Sequence, residues 1–287
     1  MQGLVNWRFL ESLSGWNASA ASRQTGFWDD WASNWERRSA LETEFTRAQI
    51  DALDISERDI VLDICCGTGR MSIPLAKRAK RVISLDSSHE MLELCKQKAR
   101  AEDIENIDFI EADWFKIEPE LDLPYCDVAL ACLSPASSDI LKLNSAASRH
   151  CYSMSFSKAY AFYDLLADLF EGTCEEWLDR QEALRRYRLG PLSGREFDLN
   201  VSFNILYDAG INPTISYVQG SWQYEAGSSS EIVTHLARLG QVDPDREETF
   251  KANVARFLEP GSEGRIRFRA PTEMYVLGWK PLPIGAG

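Results

Sequence analysis

No C-x-x-C pair occurs in the 287 residues, and the three histidines, His89, His150 and His235, lie far apart. The seven cysteines are an odd number without paired spacing. Adjacent residues of a strand point to opposite faces, so the vicinal pair Cys65–Cys66 makes a poor chelate. No disulfide framework is expected, and no metal site short of one assembled from distant residues. Reduced thiols in a cytoplasmic protein are the expected state. Apolar runs near the eighteen or so residues of a membrane span are also missing. The opening MQGLVNWRFLESLSGW, with Glu11 and one cation, does not read as a secretory signal. Positive charge is scarce, 31 Lys and Arg against 44 Asp and Glu, a formal net charge of −13. Phosphate binding usually shows as a basic stripe. The runs KRAKR (77–81) and RRYR (185–188) are short and read as solvated helix faces. Composition therefore argues for a small-molecule ligand, with no nucleic acid and no membrane as partner. Internal repeats and low-complexity tracts are absent as well.

What is there is an alternation. IVLDI (60–64), VISLD (82–86), IDFIEAD (107–113), CDVALACL (126–133) and HCYSMSF (150–156) are short, apolar and rich in β-branched residues, and read as buried strands. Helical stretches separate them. SSHEMLELCKQKARAE opens on serines able to cap and places Met91, Leu92, Cys95 and Ala99 on one stripe. Alternation of this kind predicts an α/β fold, a doubly wound, mostly parallel sheet. After residue 157 the rhythm changes to helices at 158–172, 174–190, 197–211, 228–240 and 245–261, with strands at 214–225 and 273–280. Three regions follow: 1–58, an N-terminal helical region; 59–157, the ligand-binding core; and 158–287, inserted helices and closing strands of the same domain. The added helices read equally as plain packing or as a lid over the carboxyl edge, with 158–190 hinged at Gly190-Pro191 and Ser193-Gly194.

Ligands of doubly wound sheets bind where the strands end. The loop after the first strand runs Asp63-Ile-Cys-Cys-Gly67-Thr-Gly69 and feeds a helix, and Asp86 ends the next strand. Two glycines allow close backbone approach, and an acid at that strand tip accepts paired hydrogen bonds from ribose hydroxyls. A dinucleotide fingerprint would need a third glycine where Ser72 stands, and Asp63 would repel a pyrophosphate. A cofactor without phosphate and with a cationic amino-acid tail, such as S-adenosylmethionine, tolerates that carboxylate.

Over residues 27–157 the sequence resembles the class I S-adenosylmethionine-dependent methyltransferases. VLDICCGTGR is similar to their glycine-rich motif, VISLDSSHEML to their ribose-binding strand end and FIEADW to the acidic position near the adenine. The resemblance implies a Rossmann-like methyltransferase fold and direct methyl transfer from S-adenosylmethionine. It implies that the backbone of Cys65, Cys66, Gly67 and Gly69 wraps the methionine moiety above Asp63, and that Asp86, with Ser87 beside it, holds the ribose. Asp113 would accept from the adenine amino group, Trp114 would pack on the ring, and Leu133 would border the pocket. Cys65 stands in place of the motif's first glycine, which a small side chain tolerates at negative φ. Trp28, Trp31 and Trp35 fall on one helical face, and the family likeness makes Trp28 and Trp31 a cover for the cofactor, because a sulfonium suits aromatic faces.

The fourth strand ends in ACLSPASS, without the [ND]-P-P-[YF] of amino methyltransferases. His150 and His89 read as structural. Tyr160, Tyr163 and Asp164, just past the fifth strand, are the candidate catalytic residues. The expected activity is methylation of a small molecule, with a protein or RNA methyltransferase, or a non-catalytic cofactor-binding module, as the alternatives.

Overall fold

The computed structural model describes residues 5–12, 26–157, 161–174 and 194–283. The helices are α1 (Trp7–Ser12), α2 (Phe27–Ser39), α3 (Thr43–Asp51), α4 (Ser72–Ala76), α5 (His89–Ala101), α6 (Pro119–Asp122), α7 (Ile140–Asn144), α8 (Phe162–Leu169), α9 (Gly194–Asp208), α10 (Ser229–Ala237) and α11 (Glu247–Ala255). The strands are β1 (Ile60–Ile64), β2 (Arg81–Asp86), β3 (Ile107–Glu111), β4 (Val128–Cys132), β5 (His150–Phe156), β6 (Thr214–Ala226), β7 (Leu258–Pro260) and β8 (Ile266–Trp279). They form one sheet in the order β3-β2-β1-β4-β5-β8-β6, with β7 paired to β8 off that path. The pairs among β1 to β5 are all parallel, and β8 runs antiparallel between β5 and β6. This is the doubly wound, mostly parallel α/β sheet that the alternation implies. The chain reverses direction across the sheet between β1 and β4, where such sheets open a ligand crevice.

Both faces of the parallel strands are buried, which is why they read as unbroken apolar runs rather than alternating ones. Leu62, Ile64, Ile83, Leu85, Ala129 and Ala131 pack one face, beneath residues of α7 and α9. Val61, Val82, Val128 and Leu130 pack the other, against residues of α3, α4 and α5. Each such side chain contributes about 1.5–3 kcal/mol.

β6 and β8 outrun the rest of the sheet. β5 pairs with β8 only as far as Phe156 and Met274, whereas β6 stays paired down to Ile266. The surplus ribbon projects past the carboxyl ends of the parallel strands. There Phe162, Leu166, Trp222, Phe250, Phe268 and Met274 build a third cluster with Leu41 and Phe45.

Several expected boundaries shift. The helix expected over 245–261 ends at Ala255, and Leu258–Pro260 pairs with β8 as a strand. The closing strand starts seven residues early, at Ile266, with Pro271 inside it. The expected helix at 174–190 and most of the proposed hinge lie outside the described residues, as does Tyr160. Among the described residues no helix is long and apolar enough to cross a membrane.

Candidate functional site: the carboxyl edge of β1, β2 and β4

β1 delivers the glycine loop and β2 delivers Asp86, in direct parallel register. Asp86 is buried, and its two oxygens accept from the Gly67 N–H at 2.8 Å and the Ser88 N–H at 2.9 Å. Burial raises its proton affinity and these N–H groups partly oppose the rise. Ser88 in turn caps α5, its hydroxyl accepting from the Met91 N–H. Asp63 is 2% exposed, takes the Ser72 hydroxyl at 2.6 Å, and is lifted by burial to about 6. Ser84 donates to Ser72 from the neighbouring strand, so a short relay fixes the Asp63 carboxyl beneath the loop.

Gly67 and Gly69 take φ of +56° and +83°. A side chain on Gly69 would also meet the Cys95 sulfur at 2.2 Å, because the turn is pressed onto α5. Cys65 departs from the sequence reading. It adopts φ +54°, the left-handed region, rather than the negative φ expected of a non-glycine residue. That conformation costs roughly 1–2 kcal/mol. Leu133, at the tip of β4, is left-handed too, at +51°. Two strained residues therefore flank the switch point, where the backbone must turn sharply off adjacent strands.

The vicinal thiols are not reactive groups. Burial, aided by nearby carboxylates, pushes Cys65 far up, and a hydrogen bond with Cys95 together with burial does the same for Cys66. All seven cysteines are free.

α2 covers the loop, through a residue the sequence reading did not select. The Trp35 indole nitrogen lies 3.1 Å from the position a Cβ would take on Gly67. Trp28 packs edge-on against Trp35 at 5.6 Å, while Trp31 faces outward, 45% exposed and stacked on Phe27. The helix is pinned at both ends: Asp29 accepts from the Ser88 hydroxyl at 2.5 Å and Glu36 pairs with Lys98 at 2.8 Å.

A buried polar network at the same edge was also missed. Arg70, next after Gly69, donates to Thr46 at 2.7 Å, Gln49 at 2.8 Å and the Cys132 sulfur at 2.8 Å, and pairs with Glu42 at 3.2 Å. Glu42 also takes Arg38, whose guanidinium lies between the Trp35 and Phe162 rings, 4.4 and 4.2 Å from their centres. Its members come from α2, α3, β4 and the loop, distant in sequence and individually ordinary.

Other expected residues are placed differently. Trp114 is 1% exposed within the core, with the Lys142 ammonium 4.9 Å from its ring, so it cannot stack on an adenine without leaving that packing. Asp113 accepts from the Phe115 N–H at 3.0 Å and pairs with Lys116 at 2.9 Å. Ser87 is exposed beside Asp86. Asp164 is buried, and one of its carboxylate oxygens accepts from the Ala161 N–H at 2.6 Å at the start of α8. Tyr163 lies in α8, but its side chain is outside the described residues. His150 sits at the amino edge beside Asp54, and exposed His89 pairs with Glu111 at 2.9 Å.

Residues 61–151 match the family described as a methyltransferase domain. The 23S rRNA (uracil(1939)-C(5))-methyltransferase RlmD of Haemophilus influenzae is 39% identical over 75 residues, 26% of this chain and 17% of that protein. The RlmD of Legionella pneumophila is 28% identical over 103 residues, 36% of this chain and 23% of its own length. The chain thus spans only 17% to 23% of the length of these curated relatives. Among solved structures, a SAM dependent methyltransferase from Aquifex aeolicus aligns with a TM-score of 0.44 at 17% identity, over 64% of this chain and 89% of that one. Relatives named for an rRNA substrate overturn the expectation of a small-molecule acceptor without nucleic acid. The physical reason is that net charge averages over the whole surface, whereas a nucleic acid meets only one face of it. With this sheet order and this glycine loop, residues 61–151 form a methyltransferase domain that resembles the class I S-adenosylmethionine-dependent methyltransferases.

Proposed function

We propose that the protein transfers the methyl group of S-adenosylmethionine to an RNA acceptor. The observation that carries the cofactor reading is Asp86, held at the tip of β2 by the N–H groups of Gly67 and Ser88. The acceptor reading is supported by the rRNA methyltransferases to which the chain is similar over 75 and 103 residues.

The residues fit this cofactor. Two buried acids, Asp63 and Asp86, stand where a phosphate would be repelled, beside a loop whose Gly67 is covered by Trp35. Burial makes both hold their protons more tightly than free carboxylates. Asp86 keeps lone pairs to accept from ribose hydroxyls, with Ser87 alongside. Cys65, Cys66, Gly67 and Gly69 line the methionine side with backbone, above Asp63. Asp113 retains acceptor capacity for the adenine amino group, Leu133 forms a wall, and Trp35, backed by Trp28, closes the top. When bound, S-adenosylmethionine supplies an electrophilic methyl on a sulfonium leaving group. The protein's share is then to orient donor and acceptor and to exclude water, which can lower a barrier by about 7–11 kcal/mol.

The experiment is incubation with methyl-tritiated S-adenosylmethionine and total RNA, beside calorimetric titration with S-adenosylhomocysteine. Label in nuclease-sensitive material is the expected result. Tight binding of S-adenosylhomocysteine with no label in any RNA would remove the acceptor half of the reading, and failure to bind it would remove the whole.

A further inference from the structure

β6 is an edge strand, and the fold covers only half of it. Its register with β8 is unbroken from Thr214↔Gly278 to Ala226↔Ile266. In an antiparallel ladder alternate residues bond inward and outward. The Gln223 N–H leaves the ladder to bond the Leu41 carbonyl, so odd-numbered residues of β6 face outward. The same parity holds on β8, where the odd-numbered Glu273 turns its carbonyl away from β6 to the Ser157 N–H.

From Gly220 to Gln223 the outer edge is closed. Leu41 occupies it, Glu44 takes the Ser221 hydroxyl, and the Phe45 Cβ lies 2.2 Å from where a Cβ on Gly220 would be. From Thr214 to Gln219 it is open. The N–H groups of Ile215, Tyr217 and Gln219 have no backbone partner among the described residues. Ile215 is 39% and Tyr217 54% exposed. The usual protections of a sheet edge are bulges, inward charges, lysines or prolines along the strand. None lies on this stretch, and Pro213 stands only before it. From Ala209 to Tyr224 there is not one Asp, Glu, Lys or Arg, in a chain with 75 of them.

We propose that a second copy of this chain pairs with the open half of β6, antiparallel about a two-fold axis through Tyr217. The register follows from the parity. Outward groups come from Ile215, Tyr217 and Gln219, a set symmetric about its middle member. Tyr217 therefore pairs with the partner's Tyr217, and Ile215 with the partner's Gln219. A two-fold interface uses the same patch on both copies. In a molecule of net charge −13, an uncharged strand is where two copies meet without repulsion. Six residues of edge make a small interface, so dimers form at roughly 1–100 µM.

Sedimentation velocity of the full chain over that range tests this. The wild-type chain shows a dimer fraction that rises with concentration. Tyr217→Lys and Tyr217→Glu each place like charges opposite one another across the axis and stay monomeric with unchanged thermal transitions, while an equal mixture of the two restores the dimer. Tyr217→Pro, which deletes an N–H unused within the monomer, also stays monomeric. A wild-type chain that is monomeric throughout, a dimer that survives either charged variant alone, or a mixture that fails to associate would each overturn the proposal.

Discussion

Cys65 holds a left-handed backbone with a Cβ attached, and so holds strain that a glycine would not. Cys65→Gly is expected to be neutral or to stabilise by up to about 1 kcal/mol, the relieved strain being offset by glycine's greater freedom in the unfolded chain; denaturant unfolding measures it. Gly69→Ala goes the other way, since the Cys95 sulfur occupies the needed space. Asp63 makes a pH prediction. Its folded value, about 6, lies above the unfolded one of about 3.9, so the folded chain binds the extra proton between them. Its stabilising contribution is complete below the unfolded value and is lost as pH rises through about 6. Asp63→Asn removes that loss, and its thermal transition at pH 8 should exceed the wild type's, by a stability difference of at most about 3 kcal/mol. The same transition at pH 4 should differ little. Asp86→Ala should weaken S-adenosylhomocysteine binding by about 1.5–3 kcal/mol in calorimetry, the value of hydrogen bonds to a charged group.

Trp28, Trp31 and Trp35 share a stripe of α2, and their spacing alone does not say which one meets the loop. Docking decides. Asp29 on Ser88 and Glu36 on Lys98 set the rotation of α2 over α5, and that rotation turns Trp35 onto Gly67 and Trp31 to solvent. Trp35→Ala should therefore speed dissociation of S-adenosylhomocysteine in stopped-flow displacement, and Trp31→Ala should leave that rate unchanged. The joint between α2, α3 and the glycine loop rests on Glu42, which is 1% exposed and holds both Arg38 and Arg70. Removing one partner of a buried ion pair leaves a charge uncompensated, so Glu42→Ala should cost about 3–5 kcal/mol in denaturant unfolding.

Over the whole molecule, the cations that border the carboxyl edge are mostly spoken for. Arg38 and Arg70 serve Glu42, Arg267 pairs with Glu225 at 2.5 Å, and Arg269 lies 3.8 Å from Glu44. Under the proposed RNA reading, an acceptor at this edge would neutralise few phosphates, and stacking on exposed rings such as Trp31 and Phe115 would carry more of the affinity. Filter binding across salt concentrations should therefore give a shallow log–log slope, about −1 to −2, where a basic RNA-binding protein gives a much steeper one. A steep slope would mean that the RNA lies on a basic face away from this edge.

The parallel core and its ligand loop were legible because their signals are local. Strands buried on both faces must be apolar throughout, and a turn that meets a ligand with its backbone must carry Gly67 and Gly69. The acid at the tip of β2 stands at a fixed remove from that turn for the same reason. Pro271 hid the first half of β8, since proline argues against a central strand. The tertiary register removes the objection: by parity its missing N–H would face the side where β5 has already ended and β7 does not reach. Asp164 looked catalytic from its place after β5, and only the fold shows it capping its own helix. The choice of Trp35 over Trp31, the assembly of Arg38, Glu42 and Arg70, and the half-covered edge of β6 all depend on which elements become neighbours. Sequence periodicity tells which face of an element is apolar; which partner that face meets, and at what rotation, is decided only by packing.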